Sequence, residues 1–175
     1  NQFNITKFKW IFEGGDSNQH SIRNGLWGLR DAGCDENDII LVHDGVRPLV
    51  SERIISENIE KCQKYGYAIT GMICKEAIMQ KVDDCVKNID IPRERLVRTQ
   101  TPHTYPLHTL LKAHEEADSK GIDGTVASCT LMAELGIEDQ HLVMGSEKNG
   151  LKLTQTEDVE LFKALKHTTK DEWLK

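Results

Sequence analysis

Three short segments of this sequence combine residue types that can handle phosphorylated or charged ligands. The first, Gly14-Gly15-Asp16-Ser17-Asn18-Gln19-His20-Ser21, places two glycines, a carboxylate and two hydroxyls at the start of an apolar helical pattern. Glycine lets a ligand approach the backbone closely, and the N–H groups at a helix start suit polar or anionic atoms. A plain turn before a helix is the alternative. The second, His43-Asp44-Gly45-Val46-Arg47-Pro48, follows the continuous apolar run Ile39-Ile40-Leu41-Val42. A carboxylate at Asp44 can hold Mg²⁺ while Arg47, three residues on, pairs with phosphate and Gly45 leaves room for the ligand. A purely structural Asp44–Arg47 ion pair would use the same two residues. The third is Asn149-Gly150-Leu151-Lys152-Leu153-Thr154. Lys152 sits between leucines and must reach either water or an anion; beside a magnesium-phosphate site it would stabilise charge developing during phosphoryl transfer. The histidines show neither the H-E-x-x-H spacing of a zinc site nor a Ser or Cys partner motif for a triad.

The elements that must carry these segments follow from apolar periodicity. Residues 8–12 read as a strand broken by Gly14-Gly15, and residues 18–30 as a helix with Ile22, Leu26 and Leu29 on one stripe. The apolar run 39–42 has the composition of a strand covered on both faces in a parallel sheet. Ser51 is placed to cap a second helix, with Ile55, Ile59 and Cys62 on its buried face and Gly66 at its end. A strand follows over 67–73. Between 76 and 91, the segments 77–82 and 85–91 flank Asp83-Asp84, which predicts a β-hairpin arm of the kind that joins two copies. Residues 95–100 read as a strand stopped by Thr101-Pro102. Leu107, Leu110, Leu111 and His114 define a helix face, 126–135 a shorter helix, and 141–144 a strand. Residues 151–153 read as a short strand, and Thr154-Gln155-Thr156-Glu157 as a capping box for a closing helix over 159–165. This alternation predicts an α/β fold, a Rossmann-like and mainly parallel sheet flanked by helices with right-handed crossovers. In such folds ligands sit beyond the carboxyl ends of the strands.

Composition narrows the partners. With 175 residues, 22 Lys+Arg against 28 Asp+Glu, a net charge of −6 and 38% hydrophobic residues, the chain has the profile of a single globular domain. The acidic balance argues against a general nucleic-acid or anionic-membrane surface, both of which need clustered Lys and Arg. It leaves room for a local basic phosphate site. No apolar run approaches the ~18 residues of a membrane helix, and the first residues lack a signal-peptide pattern, so a cytoplasmic location is expected. The five cysteines are odd in number and never spaced as C-x-x-C, which predicts free thiols.

Read in order, G-G-D-x-x-x-x-S-x-x-x-G-L, V-H-D-G-V-R-P, T-Q-T-P-H-T-Y and L-K-L-T-x-x-E-D closely resemble the 2-C-methyl-D-erythritol 4-phosphate cytidylyltransferase family and its ribitol-5-phosphate cytidylyltransferase relatives, over residues 12–165. The resemblance implies a nucleotidyltransferase fold and a reaction of CTP with a polyol phosphate, assisted by Mg²⁺, giving a CDP-polyol and pyrophosphate. It implies that Gly14, Gly15, Asp16 and Ser21 bind CTP at the cytosine, that Asp44 lies at the metal and the substrate, that Arg47 meets the polyol phosphate, and that Lys152 neutralises the α-phosphate. It also implies a homodimer joined through the β-arm at 76–91. Departures fall on the acceptor side: Glu76-Ala77 stands where the family often has D-T, Leu107 where an Arg is common, and Gly124-Thr125-Val126-Ala127-Ser128 where it has T-D-[DE]-A-S. CTP is therefore better supported than any one acceptor, methylerythritol phosphate and ribitol 5-phosphate being the candidates. The family's glycine-rich and basic phosphate loop has no counterpart here. The expectation is an N-terminally incomplete chain, in which a single domain lacks that loop. A degenerate homologue that binds nucleotide or dimerises without catalysis is the alternative.

Overall fold

The structure, a computed structural model, describes residues 5–167. The chain packs as two compact units, one built from the segment up to Ile40 with Pro106–Glu138, the other from Leu41–Tyr105 with the segment from Asp139 onward.

In the first unit, helix α1 (Asn18–Asp31) starts where expected because Ser17 accepts the His20 N–H at 3.1 Å. Strand β1 (Ile39–Val42) begins in this unit and ends in the second; its residues are half-buried rather than fully covered. Helix α3 (Leu107–Lys120) and helix α4 (Ser128–Glu134) complete the first unit, with α3 packing against both α1 and α4. Leu107, Leu110, Leu111 and His114 are all buried, as their spacing predicts, and Leu26, Cys129, Leu131 and Met132 are buried apolar side chains of the same unit. Residues 8–12 form no strand. Their aromatic and β-branched side chains carry β propensity, but none of them pairs in the sheet, and the segment is exposed, Ile11 to 80%.

The second unit holds helix α2 (Glu52–Tyr65), strands β2 (Ala68–Ile73), β3 (Met79–Val82), β4 (Cys85–Asn88), β5 (Val97–Pro106) and β6 (His141–Met144), the short helix α5 (Glu147–Gly150), and helix α6 (Thr156–His167). Ser51 caps α2 by accepting from Ile54 N–H, and Gly66 ends it at φ +92°, a conformation that glycine alone adopts without strain. The main sheet has the order β1-β5-β2-β6. The expected parallel pairing holds between β2 and β6, whereas β5 runs antiparallel to β2, so the sheet is mixed. Helix α2 covers β2 and β6. The predicted arm is a separate two-stranded ribbon, β3 with β4, turning on Asp83-Asp84, where Asp83 has φ +53°.

Three expectations in this unit are corrected. Thr101-Pro102 does not stop β5. The register passes from Thr70↔Gln100 to Ile69↔His103, so Thr101 and Pro102 form a bulge where the proline owes no ladder hydrogen bond. The Pro102 carbonyl accepts from Thr70 Oγ1 at 2.8 Å, and Asn58 of α2 donates to Thr70 Oγ1 at 2.9 Å, tying helix, strand and bulge together. Residues 151–153 are not a strand: the Leu151 N–H closes on the Lys148 carbonyl at 3.2 Å and the Leu153 N–H on the Val46 carbonyl at 2.9 Å. The capping box is shifted by one residue: Asp158, rather than Glu157, accepts from the Thr154 and Gln155 N–H groups, each at 2.8 Å. The cysteines are free thiols, Cys62, Cys74 and Cys129 buried, Cys34 half-buried and Cys85 exposed.

Candidate active site

The chain leaves β1 into a tight turn, the Arg47 N–H closing on the Asp44 carbonyl at 2.9 Å, and this i, i+3 spacing turns the two side chains toward each other. Arg47 Nε donates to Asp44 Oδ2 at 3.0 Å, and Lys152 Nζ lies 3.5 Å from the same oxygen. The pair at 44 and 47 is present, and Lys152 adds a second cation to it. One half-buried carboxylate oxygen gathers two cations from segments more than 100 positions apart, and Lys152 keeps about half of its side chain in solvent. The three charges leave one net positive charge at the carboxyl end of β1, inside a chain of net charge −6.

The turn is braced from β5. Thr101 Oγ1 accepts the Asp44 N–H at 3.0 Å and so turns its own hydrogen to His43 Nδ1, also at 3.0 Å. His43 Nε2 then donates to the Arg47 carbonyl at 3.0 Å. This closed circuit fits the neutral, Nε2-protonated ring, and it explains why a strand residue beside a bulge matters to a loop. Arg47 reaches further: Nη1 donates to the Gly150 carbonyl at 2.7 Å, while its Nη2 end takes part in none of these bonds. His103, buried in β5, is held neutral, its pKa pushed down to about 4 chiefly by burial, against the pull of the Gln100 carbonyl and the nearby Asp44 charge.

The glycine-rich segment lies in the first unit and is organised around Ser21. Its hydroxyl accepts the Gly15 N–H at 3.0 Å and donates to the Ser17 carbonyl at 2.9 Å. A side chain at Gly15 would collide with the His20 Cβ, so this loop shape requires glycine. Gly14 and Asp16 are exposed, and the Asp16 carboxylate stands outside that hydrogen-bond network. Ser21 thus shapes the loop with its own hydroxyl hydrogen already engaged.

The motifs read from sequence assign no role to His43, Gln100, Thr101 or Asn149. Asn149-Gly150 ends a short helix capped by Ser146, which accepts the Asn149 N–H at 3.1 Å, and the Asn149 side chain is fully buried. Among the described residues no cluster of three or more His, Cys, Asp or Glu side chains forms a metal cage. A single carboxylate fits Mg²⁺ held mainly by substrate phosphates, the usual mode for that ion, and Asp44 Oδ1 carries neither of the cation contacts made by Oδ2. Nor is any helix among the described residues long and apolar enough to cross a membrane.

An α/β sheet that brings a carboxylate, a guanidinium and an ammonium to one strand end is suited to binding phosphate groups. A sequence model of the 2-C-methyl-D-erythritol 4-phosphate cytidylyltransferase (IspD) family matches residues 2–167, and the chain belongs to that family. It is 43% identical to the ribitol-5-phosphate cytidylyltransferase of Lacticaseibacillus paracasei, over 93% of this chain and 69% of the relative. It is 35% identical to the 2-C-methyl-D-erythritol 4-phosphate cytidylyltransferase of Clostridium acetobutylicum, over 90% of this chain and 66% of that one. The crystal structure of the 2-C-methyl-D-erythritol 4-phosphate cytidylyltransferase of Thermus thermophilus superposes with a TM-score of 0.74 at 28% identity, covering 89% of this chain and 72% of that one. The chain spans about two thirds of the length of the curated relatives it matches.

Proposed function

We propose that this chain transfers the cytidylyl group of CTP to the phosphate of ribitol 5-phosphate, releasing pyrophosphate. The observation that carries the reading is the Asp44–Arg47–Lys152 cluster, two cations on one carboxylate at a strand end, in a family whose relatives are cytidylyltransferases. Ribitol 5-phosphate is favoured over methylerythritol phosphate by the 43% identity to a ribitol-5-phosphate enzyme against 35% to a methylerythritol-phosphate enzyme.

In this reading an oxygen of the acceptor phosphate attacks the α-phosphorus of CTP in line, a new P–O bond forming as the bond to the pyrophosphate breaks. The work of the protein is positioning and charge neutralisation, with no covalent intermediate. Arg47 offers its uncommitted Nη2 end to the acceptor phosphate while Nε and Nη1 stay fixed on Asp44 and Gly150. Lys152, half in solvent and held only by a 3.5 Å contact, moves readily from Asp44 to the α-phosphate oxygens as negative charge builds there. Asp44 Oδ1 is the ligand we assign to Mg²⁺, which when bound neutralises triphosphate charge. In the first unit, the exposed Asp16 carboxylate accepts from the cytosine amine, and Gly14, Gly15 and Ser21 hold the loop that presents it. The β3–β4 arm is the dimer contact, its exposed Met79 and Val86, with Ile78 and Ile91 at its base, forming an apolar strip fit for a second copy. A cytoplasmic location accords with these soluble substrates.

The test is pyrophosphate release from CTP and Mg²⁺ with ribitol 5-phosphate and methylerythritol phosphate in parallel. Higher kcat/KM with ribitol 5-phosphate is expected. Release with neither acceptor would sink the enzyme reading, and preference for methylerythritol phosphate would reverse the choice of acceptor.

A further inference from the structure

Gln100 and Asn149 form a buried amide pair that the reaction scheme above does not use. Asn149 Nδ2 donates to Gln100 Oε1 at 2.9 Å and to the Thr101 carbonyl at 3.1 Å. Gln100 Nε2 donates to the Ser146 carbonyl at 3.0 Å. Because a backbone carbonyl can only accept, Thr101 and Ser146 fix which way each amide points. The Gln100 carboxamide is seated between two glycines: a Cβ on Gly145 would overlap its Oε1, and a Cβ on Gly150 would lie 2.7 Å from its Nε2. Asn149 is fully buried and Gln100 is 2% exposed, yet Asn149 Oδ1 has no hydrogen-bond partner. An apolar side chain there would leave the buried Gln100 Oε1 without its donor, so the asparagine is required by the pair it makes, even with its own Oδ1 unpaired.

The pair sits at the root of the charged cluster. It fastens the segment Ser146–Gly150 onto β5 beside Thr101, which braces Asp44. The same segment presents the Gly150 carbonyl that holds Arg47 Nη1, and Lys152 follows two residues later. We infer that Gln100 and Asn149 are positioning residues, a latch through which β5 sets the reach of Arg47 and Lys152 to Asp44 and to the reacting phosphates. This inference rests on the cytidylyltransferase reading for its kinetic consequence, though its structural consequence stands apart.

The experiment compares the full chain with Asn149→Leu in steady-state pyrophosphate release, with the folded fraction set by thermal unfolding, and in amide hydrogen exchange. The expected result is a kcat lower by about 10- to 100-fold with KM for CTP within about threefold. Exchange at Gly150 and Leu153 should be at least about tenfold faster while α2 is unaltered. In a Lys152→Ala background the same substitution should cost a smaller factor in kcat, because part of its effect passes through that lysine. Gly150→Ala, which presses on Gln100 Nε2, is the milder second variant should Asn149→Leu fold poorly, with the same direction expected in each readout. Equal factors in both backgrounds, or a kcat that falls only with the folded fraction, would overturn the latch. If the parent chain releases no pyrophosphate, the cytidylyltransferase reading falls and exchange alone decides: unaltered protection at Gly150 and Leu153 overturns the latch, and faster exchange upholds it.

Discussion

Arg47→Lys keeps the charge at this position and removes only the fork. In the parent chain the guanidinium spends separate nitrogens on separate partners, Nε on Asp44 Oδ2 at 3.0 Å and Nη1 on the Gly150 carbonyl at 2.7 Å, with Nη2 left over. A lysine ammonium is a single point at the end of a flexible stem and cannot hold both partners while also meeting a phosphate. One charge-assisted hydrogen bond is therefore lost, ordinarily about 1.5–3 kcal/mol. The Arg47 and Asp44 side chains are 13% and 25% exposed, so water recovers a part and about 1–2 kcal/mol remains. If that loss falls on the transition state, kcat/KM for the acceptor drops by about 5- to 30-fold. Nearly normal attraction for anions should survive, because the net charge is unchanged. The assay is pyrophosphate release at varied acceptor and saturating CTP, with urea unfolding to correct for stability. A kcat/KM within twofold of the parent would refute the claim that the fork, rather than the charge, does the work.

Other expectations concern the remaining parts of the site. Lys152→Ala should lower kcat by about 10²-fold with little change in unfolding midpoint, and an unchanged kcat would return that lysine to solvent. Gly15→Ala forces a Cβ into His20 and should raise KM for CTP by about tenfold, measured by initial rates; an unaltered KM would remove this loop from cytosine binding. Val86→Asp on the arm should convert a dimer to a monomer in sedimentation velocity, and a parent chain that sediments as a monomer would end the dimer proposal. His103 and His114 have folded pKa values pushed down to about 4 by burial, against an ordinary 6.5. Below pH 6.5 the unfolded chain takes up protons that the folded chain refuses, so stability is full above 6.5 and declines toward pH 4, by at most ~1.4 kcal/mol per pH unit for each histidine. His114→Leu should flatten the slope of urea stability between pH 7 and 5, and an identical slope would show that His114 titrates normally.

What can be read from the chain and what cannot differ by the range of the interaction. Asp44 and Arg47 are legible because their partnership is local, three residues apart in a turn after an apolar strand. The face of α3 is legible because helical periodicity repeats over many residues, whereas that of α2 is read one residue off. Ile54, Asn58 and Cys62 are buried and Ile55 is exposed, because a polar Asn58 that bonds Thr70 takes the place an apolar stripe would give to Ile59. The end of strand β5 is hidden because its interior is polar: Gln100, Thr101, His103 and Thr104 are all buried, and nothing in a run of neutral polar residues with a proline announces a core strand. Thr104 and Gln100 are sustained there by partners supplied from elsewhere, Asn58 from α2 and Asn149 from α5, at separations of 46 and 49 positions. Residues 8–12 mislead in the opposite direction, with strand-like side chains and no ladder to join.

The polar interior of β5 and the charged turn after β1 have one cause. A cluster with two cations on one carboxylate keeps its one net positive charge only where the groups that hold it are neutral and do not compete for its charges. Hydroxyl, imidazole and amide side chains meet that need, since they bind backbone carbonyls and N–H groups and leave Arg47 Nη2 and Lys152 to an incoming anion. A second carboxylate in place of Gln100 or Thr101 would cancel the net positive charge at the strand end, and the overall charge of −6 would then extend into the site. In the proposed cytidylyltransferase reading, this local positive charge is what an acidic protein offers to two phosphorylated substrates. The bulge in β5, by turning neutral polar groups toward the turn at Asp44, is the structural feature that preserves it.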